Sequence, residues 1–329
     1  MATRDRKAKS SRTGNYWKKL PDNEFIDKWR MYGPTEMSRR TGMSLRSLYS
    51  RRRVIEMRTG QRIEPPIPNP GELPVGPTQA PGRINTEVRN GFVLIGSDAH
   101  YWPGDRTLMH KAFLYFCKEL KPKIVVMNGD VIDAPTVSRY DSGWEKIPQL
   151  ADEIEHAKDM LSEIEKATFK TPRYWPLGNH DARFEYRIAA KAPEYAKIHG
   201  IHLKDHFPNW IPTMSLWLND GIIIKHRFKG GIHAIRNNTL YGGKTIVTAH
   251  LHAARVHPFT DYNGTRWGVD NGCMANVYAP QFNYLEDNPR DWREGLCVLK
   301  IVDGRLLEPS LVLRWDDKSV QFRGDIIRV

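Results

Sequence analysis

Cysteine is scarce in this chain. Cys117, Cys273 and Cys297 are the only three among 329 residues, and their wide separation argues against both a disulfide framework and a thiolate zinc site. Long apolar runs are missing as well: no stretch approaches the ~20 residues a membrane-spanning helix needs. The N-terminus is polar and basic without the apolar core of a secretion signal, so the expectation is a cytoplasmic protein with no membrane partner. No internal repeat is evident. Acidic residues are in deficit, 38 Asp and Glu against 50 Lys and Arg, for a net charge of +12. That deficit is local. Residues 1–60 hold 16 basic and 6 acidic residues, whereas the remainder is nearly balanced at 34 against 32. A chain of this length can bury the cores of about two domains.

The basic end divides into three parts. Residues 1–20, with Arg4, Arg6, Lys7 and Lys9, read as a polyanion-seeking disordered arm, or more simply as a solubilising tail. Residues 21–60 read as a small helical module. Phe25, Ile26, Trp29 and Tyr32 suit one face of a first helix that Gly33-Pro34 ends, and Glu36 to Arg40 suits a short second helix. Gly42-Met43-Ser44 suits a turn in which Ser44 caps a third helix running from Leu45 towards Ile55. This pattern resembles a helix-turn-helix, whose third helix enters the major groove. Leu45, Leu48 and Tyr49 would pack inward, leaving Arg46, Ser47, Ser50, Arg51 and Arg53 as the DNA-binding candidates. A helical protein-docking module or a basic bundle without a partner are the alternatives. Residues 61–90 follow as a linker; Gln61 to Arg83 carries seven prolines and no apolar periodicity, which suits a semi-rigid tether.

The remaining stretch, 91–329, alternates short apolar runs with helical periodicity, so an α/β fold is expected. Phe92 to Ser97, Ile124 to Met127, Tyr174 to Leu177, Ile222 to Lys225 and Thr245 to Thr248 read as buried strands. Leu108 to Leu120, Glu145 to Ala167 and Ile232 to Tyr241 read as helices, the second on the spacing of Ile154, Ala157, Leu161 and Ile164. Further strands are expected at Met214 to Leu218, near Val269, at Leu296 to Val302 and at Leu306 to Leu313. Each of the five buried strands ends beside a metal-ligand type of residue, and side chains at the carboxyl ends of sheet strands can converge on one crevice.

Those residues fall in four compact motifs and one isolated histidine: Asp98-Ala99-His100, Gly129-Asp130-Val131-Ile132-Asp133, Gly178-Asn179-His180-Asp181, His226, and His250-Leu251-His252. Their order and spacing resemble the calcineurin-like metallophosphoesterases, whose pattern is D-x-H, G-D-x-x-D, G-N-H-D/E, a lone His after a strand, and G-H-x-H. The resemblance covers about Gly91 to Leu313. One departure is Ala249, where the family usually has Gly; alanine is small and binds no metal, so only a slightly altered turn is expected.

The resemblance implies a four-layer αββα sandwich and two linked metal sites. Asp98, His100 and His252 would hold one divalent ion and Asn179, His226 and His250 the other, with Asp130 bridging them. A carboxylate suits the bridge because its two oxygens can each bind a cation and its charge offsets their repulsion. Mn²⁺ is the first expectation, with Fe or Zn²⁺ also compatible with imidazole, carboxylate and amide donors. His180 would assist the leaving oxygen or stabilise the transition state, with Asp181 orienting its ring, while Asp133 would hold the loop or orient a ligand. Of the other histidines, His110, His156, His199, His202, His206 and His257 read as surface or packing residues, and His233 as a group behind the ligands.

The family spans protein phosphatases, nucleases and nucleotide phosphodiesterases on one metal centre, so fold and ligands do not choose among them. Ala134-Pro135 after Asp133, and Asp181 after His180, depart from the Ser/Thr phosphatase pattern. Together with the basic module they favour a DNA-directed phosphodiesterase or nuclease, closest in motifs to the DNA-repair exonuclease branch and expected of a phage or mobile element. The alternatives are a phosphatase or phosphodiesterase on small or protein-borne phosphates, and a non-enzymatic DNA-binding protein, which the complete ligand set disfavours. Tyr101, Trp102, Arg139, Arg183, Tyr186, Arg187, Arg255 and Arg266 are candidate contacts to bases or phosphates.

Overall fold

The structure, a computed structural model, describes residues 20–61, 63, 80–138, 146–286, 288 and 291–329. The predicted N-terminal arm, most of the Pro-rich linker and Arg139 lie outside these residues. The chain divides into two compact units, Met1–Glu72 and Leu73–Val329.

In the first unit, α1 (Asp22–Thr41) is broken at Gly33, whose φ of 68° and ψ of 171° lie far from helical values, so the two predicted helices exist on either side of that residue. Gly42 ends the run in a left-handed conformation with its N–H on the Ser38 carbonyl, and Ser44 caps α2 (Leu45–Thr59) by accepting from Ser47 N. Trp29, Phe25, Met37, Leu48, Ile55, Leu20 and Ile63 form a buried cluster. One expectation fails here. Leu45 and Tyr49 are 44% and 39% exposed, because Ile55 and Met37 take up the interior; Tyr49 only edges the Trp29 ring, with centroids 5.4 Å apart. Arg51 folds back onto the Leu20 carbonyl and Asp22 and lies over the Phe25 ring. Arg46, Ser47, Ser50 and Arg53 are exposed, with Ser47 already engaged in the Ser44 cap.

The second unit starts earlier than 91. Ala80 is fully buried, Met214 N donates to the Pro81 carbonyl, and β1 (Ile84–Thr86) pairs in parallel with β6 (Leu216–Leu218). The Pro-rich composition hides this strand because β1 lies at a sheet edge, where few apolar residues are required.

Two sheets make up this unit. The larger runs β15 (Asp325–Arg328), β14 (Ser319–Phe322), β13 (Ser310–Arg314), β11 (Gly295–Val302), β2 (Gly91–Gly96), β3 (Ile124–Met127), β4 (Arg173–Pro176) and β5 (Ile211–Thr213), with β12 (Arg305–Leu306) on β11. The smaller runs β1, β6, β7 (Ile222–Ile224), β8 (Thr245–Thr248), β10 (Gly264–Asp270) and β9 (Arg255–Asp261).

Strand alternation in the larger sheet feeds two cores at once. Leu94, Val125, Met127, Leu296 and Val298 join one cluster with the buried faces of α3 (Leu108–Leu120) and α4 (Leu150–Ala167). Their neighbours Val93, Ile95, Ile124, Val126, Cys297, Leu299 and Ile301 meet Leu216, Leu218, Ile222, Ile224, Val247 and Val269 of the smaller sheet. α7 (Ala234–Gly242) covers that sheet's far side with Ala234 and Ile235. The order is helix, sheet, sheet, helix, as the four-layer expectation requires. α4 begins at Leu150 rather than Glu145, which lies outside the described residues, and α5 (Asp181–Lys191) and α6 (Leu203–His206) were not foreseen.

A chain truncated to begin at Gly91 loses β1, Ala80 and Val88. Exposing buried apolar side chains of this size costs at least about 2 kcal/mol, so it should melt about 4–8 °C below a chain beginning at Leu73. Equal calorimetric melting temperatures would show that the edge strand contributes nothing.

Candidate metal centre

All five predicted strands carry their C-terminal ends towards one place. β2 and β3 are parallel neighbours with Gly96 opposite Met127, and β7 and β8 are parallel neighbours with Ile224 opposite Val247. Beyond these ends the backbone turns sharply through residues of positive φ: Asp98 (45°), His100 (39°), Asp130 (51°), His250 (72°) and His252 (57°). A non-glycine residue there costs on the order of 1–3 kcal/mol and persists only where its surroundings over-determine it. The determinants are visible. Asp98 N donates to the Gly129 carbonyl at 2.9 Å, His100 N to the Asp130 carbonyl at 3.0 Å, and His250 N to both Asp98 carboxylate oxygens at 3.2 Å. Close approach fixes two glycines: a Cβ on Gly129 would overlap the His226 ring, and one on Gly178 the Asp130 carboxylate and backbone nitrogen.

Three sets of side chains could each hold a cation, Asp98 with His100 and His252, Asp130 with His226 and His250, and His100 with Asp133 and His180, their donor atoms lying within 4.8 Å of one another in each set. Asn179 is carried on the turn before α5 with its Oδ1 buried and without a partner among the described residues, and the same is true of His100 Nε2. Their ring orientations are set from behind. His226 Nδ1 donates to the Asn128 carbonyl at 2.8 Å, which turns Nε2 towards Asp130 Oδ2 at 3.1 Å. His100 Nδ1 lies 2.9 Å from Asp133 Oδ1, and His252 Nε2 lies 3.1 Å from Asp98 Oδ1.

The electrostatics are those of an anionic core. Burial opposes ionisation of Asp98, but the charges of His252 and His226 prevail and lower its pKa; Asp130 is driven well below its ordinary value by His226 and His180 against the same penalty. Conversely, burial alone would neutralise His226, yet the Asp130 charge lifts it to about 10. Burial and then His226 push His250 down to about 4.

Asp181 makes other contacts than the expected one with His180, whereas Asp133, expected to hold the loop or orient a ligand, lies beside both His100 and His180. Asp181 does not reach the His180 ring. It heads α5 and accepts from Asp130 N (2.9 Å), Val131 N (2.9 Å), Gly178 N (2.8 Å) and Trp175 Nε1 (2.9 Å), tying two motif loops together. Asp133 takes the orienting position, its Oδ1 2.7 Å from His180 Nδ1 as well as beside His100. The Asp133 loop is itself held by the buried Glu153 of α4, which accepts from Asp133 N and from Ala134 N at 2.8 Å. Arg183 donates to the Asp133 carbonyl at 2.9 Å and lies 3.1 Å from His180 Nε2.

Of the other candidate contacts, Tyr101 is buried, with its hydroxyl 2.9 Å from His110 Nδ1, so it stacks on nothing outside the protein. Arg266 pairs with Asp261 across the β9–β10 hairpin, and Arg255 pairs with Asp291. Trp102 is half-buried, whereas Tyr186 and Arg187 are exposed on α5. His233 is exposed at the foot of α7 and is not a group behind the ligands. Sequence reasoning missed an aromatic wall: the Trp292 ring packs on His252 with centroids 4.3 Å apart, and Phe282 packs on His100 at 5.3 Å. Phe282 lies in a short 3-10 helix, Pro280–Leu285, and Trp292 just before β11, and neither position carries a periodicity that signals the site.

No family model matches the chain. The gene 54 protein of Mycobacterium phage D29 is 28% identical over 239 residues, covering 67% of this chain and 92% of that protein. The gene 54 protein of Mycobacterium phage L5 is 24% identical over 251 residues, with 67% and 92% covered. Both relatives are phage proteins. Among solved structures, the chain is similar to YfcE, a phosphoesterase from E. coli, at a TM-score of 0.33 and 14% identity, covering 66% of this chain and 97% of that one. It is also similar to the Pseudomonas putida nuclease MPE, at a TM-score of 0.31 and 13% identity, covering 66% and 86%.

The different contacts of Asp133 and Asp181 have a measurable consequence. Asp181→Ala leaves several buried N–H groups without an acceptor, at about 1–3 kcal/mol each, and should lower the melting temperature sharply. Asp133→Ala should spare stability more but lower the His180 pKa in the metal-free protein, since the Asp133 charge helps hold it up. NMR titration of His180 distinguishes them; a His180 pKa unmoved by Asp133→Ala would return the orienting role to another group.

Proposed function

We propose that the chain is a dinuclear-metal-dependent phosphoester hydrolase, a DNA-directed phosphodiesterase or nuclease. The observation that carries this reading is the convergence of two imidazole and carboxylate sets, plus the unpartnered Asn179 Oδ1, on one buried pair of aspartates. Asp98, His100 and His252 would hold one ion, Asn179, His226 and His250 the other, and Asp130 both, in line with the resemblance to the calcineurin-like metallophosphoesterases. Two divalent ions there would lower the pKa of water and polarise a phosphoryl oxygen. Mn²⁺ is the preferred pair, with Fe or Zn²⁺ as alternatives.

His180 Nε2 is the atom assigned to proton transfer, because Nδ1 is taken by Asp133 and the ring is edge-on to His100 with centroids 4.7 Å apart. The Arg183 guanidinium beside it is suited to a phosphoryl oxygen. Asp181 is a positioning residue for the loops. The N-terminal module would concentrate the enzyme on DNA through Arg46, Ser47, Ser50 and Arg53, with the +10 charge of residues 1–60, arm and module together, acting mainly on phosphates.

A metal screen on single-stranded DNA, duplex DNA, a bis-ester reporter and a monoester reporter tests the reading. We expect hydrolysis of DNA and of the bis-ester only with added divalent metal. Asp130→Asn should lose bound metal together with activity. His180→Gln should keep its metal while losing turnover by roughly 10²–10⁴-fold; loss of metal in that variant would make His180 a ligand. Preference for the monoester would favour a phosphatase instead. A chain beginning at Leu73 should retain bis-ester turnover while losing DNA affinity, and equal affinity in both chains would remove the module from DNA binding.

A further inference from the structure

Next to the metal centre lies a cleft of about 570 Å³ that none of the motifs marks. It sits between the start of α7, the start of β9, Arg293 and Leu311. Its volume falls in the range of about 300–1,000 Å³ typical of ligand sites. Arg236, Arg255 and Arg293 and two imidazoles line it, and no carboxylate does. Asp291 pairs with Arg255, and Arg293 Nη1 donates to the Ala254 carbonyl at 3.3 Å. Arg236 is exposed and forms no ion pair with any described residue. Ile235, Val256 and Leu311 give the cleft an apolar floor. It shares a wall with the metal centre: Arg293 N donates to the His252 carbonyl at 2.7 Å, and the preceding Trp292 packs on the His252 ring.

A cationic rim over an apolar floor, contiguous with the metal-ligand loop, suits a ligand that alternates phosphates with apolar rings and continues beyond the reacting phosphate. A small phosphomonoester has no second phosphate to place on these arginines. We propose that this cleft binds the strand of a nucleic acid on one side of the phosphate undergoing hydrolysis, with Arg236 and Arg293 on backbone phosphates and the floor against sugar and base. This inference rests on the nuclease reading above and adds the path of the substrate.

The test uses the full-length protein with EDTA, so that no turnover occurs, and a fluorescein-labelled oligothymidylate followed by anisotropy across a salt series. Arg236→Glu should weaken binding roughly tenfold, and losing one phosphate contact should flatten the logarithmic salt slope by about 0.7. Arg293→Gln should act in the same direction. Lys170→Glu makes the same charge change at the opposite ends of the strands, between α4 and β4, and should bind as the parent does. Unchanged binding in Arg236→Glu and Arg293→Gln overturns the proposal, as does equal weakening by Lys170→Glu, which would reduce the effect to net charge. The parent reading fails separately. If no metal supports hydrolysis of the bis-ester while Arg236→Glu still weakens binding selectively, the cleft stands and the nuclease assignment falls.

Discussion

Two carboxylates, Asp98 and Asp130, are buried side by side at the carboxyl ends of adjacent parallel strands, and keeping both charged is the condition the surrounding structure meets. Taking one ion out of water carries an effective penalty of several kcal/mol even after the protein relaxes. Imidazoles supply the offset here, chiefly His226, which Asp130 holds protonated to about pH 10. Coordination requires a neutral imidazole. On the proposed reading of this site, loading a cation would therefore go with release of the His226 proton.

The two-sheet architecture is what would make that exchange possible. The larger sheet contributes Asp98, His100, Asp130 and Asn179, and the smaller contributes His226, His250 and His252. Each half of the donor set is rigid within its own sheet, so the distance between halves is set by the apolar layer of Val93, Ile95, Val126, Ile224 and Val247 packed between them. Interiors packed to near-crystalline density respond to the loss of a methylene. A core substitution far from the metal centre would act on chemistry by letting one half shift against the other, and misplacement by about 1 Å is enough to cost about 10²-fold in rate. Buried carboxylates serve the same end within the larger sheet. Asp181 clamps the loops after β3 and β4, and Glu153 clamps the Asp133 loop from the helical layer.

The donor residues were legible because each follows a short apolar run, and a strand followed by Asp or His can be read without knowing the partner strands. The four-layer arrangement came from the resemblance to the calcineurin-like metallophosphoesterases, and the apolar runs of β2, β3 and β11, covered on both faces, agree with it. What escaped notice depends on tertiary direction. Whether Asp133 or Asp181 meets His180 is decided by the turn into α5, which points Asp181 back at the Asp130 backbone. Arg51 looks like its neighbour Arg53 in sequence, but its place on α2 turns it under Phe25. β1 was hidden among prolines because an edge strand needs little apolar content, and Phe282 and Trp292 occur where no periodicity directs attention.

Charge is distributed on two scales, and the two have opposite signs. Within hydrogen-bonding distance the candidate centre is anionic; around it in the same unit, Arg183, Arg236 and Arg293 supply positive charge. Salt acts differently on the two scales: it screens the exposed arginines over about 8–10 Å at physiological strength but barely reaches the buried pair. On the proposed nuclease reading, ionic strength would thus govern how often a strand arrives, leaving what happens to it at the centre to the buried residues.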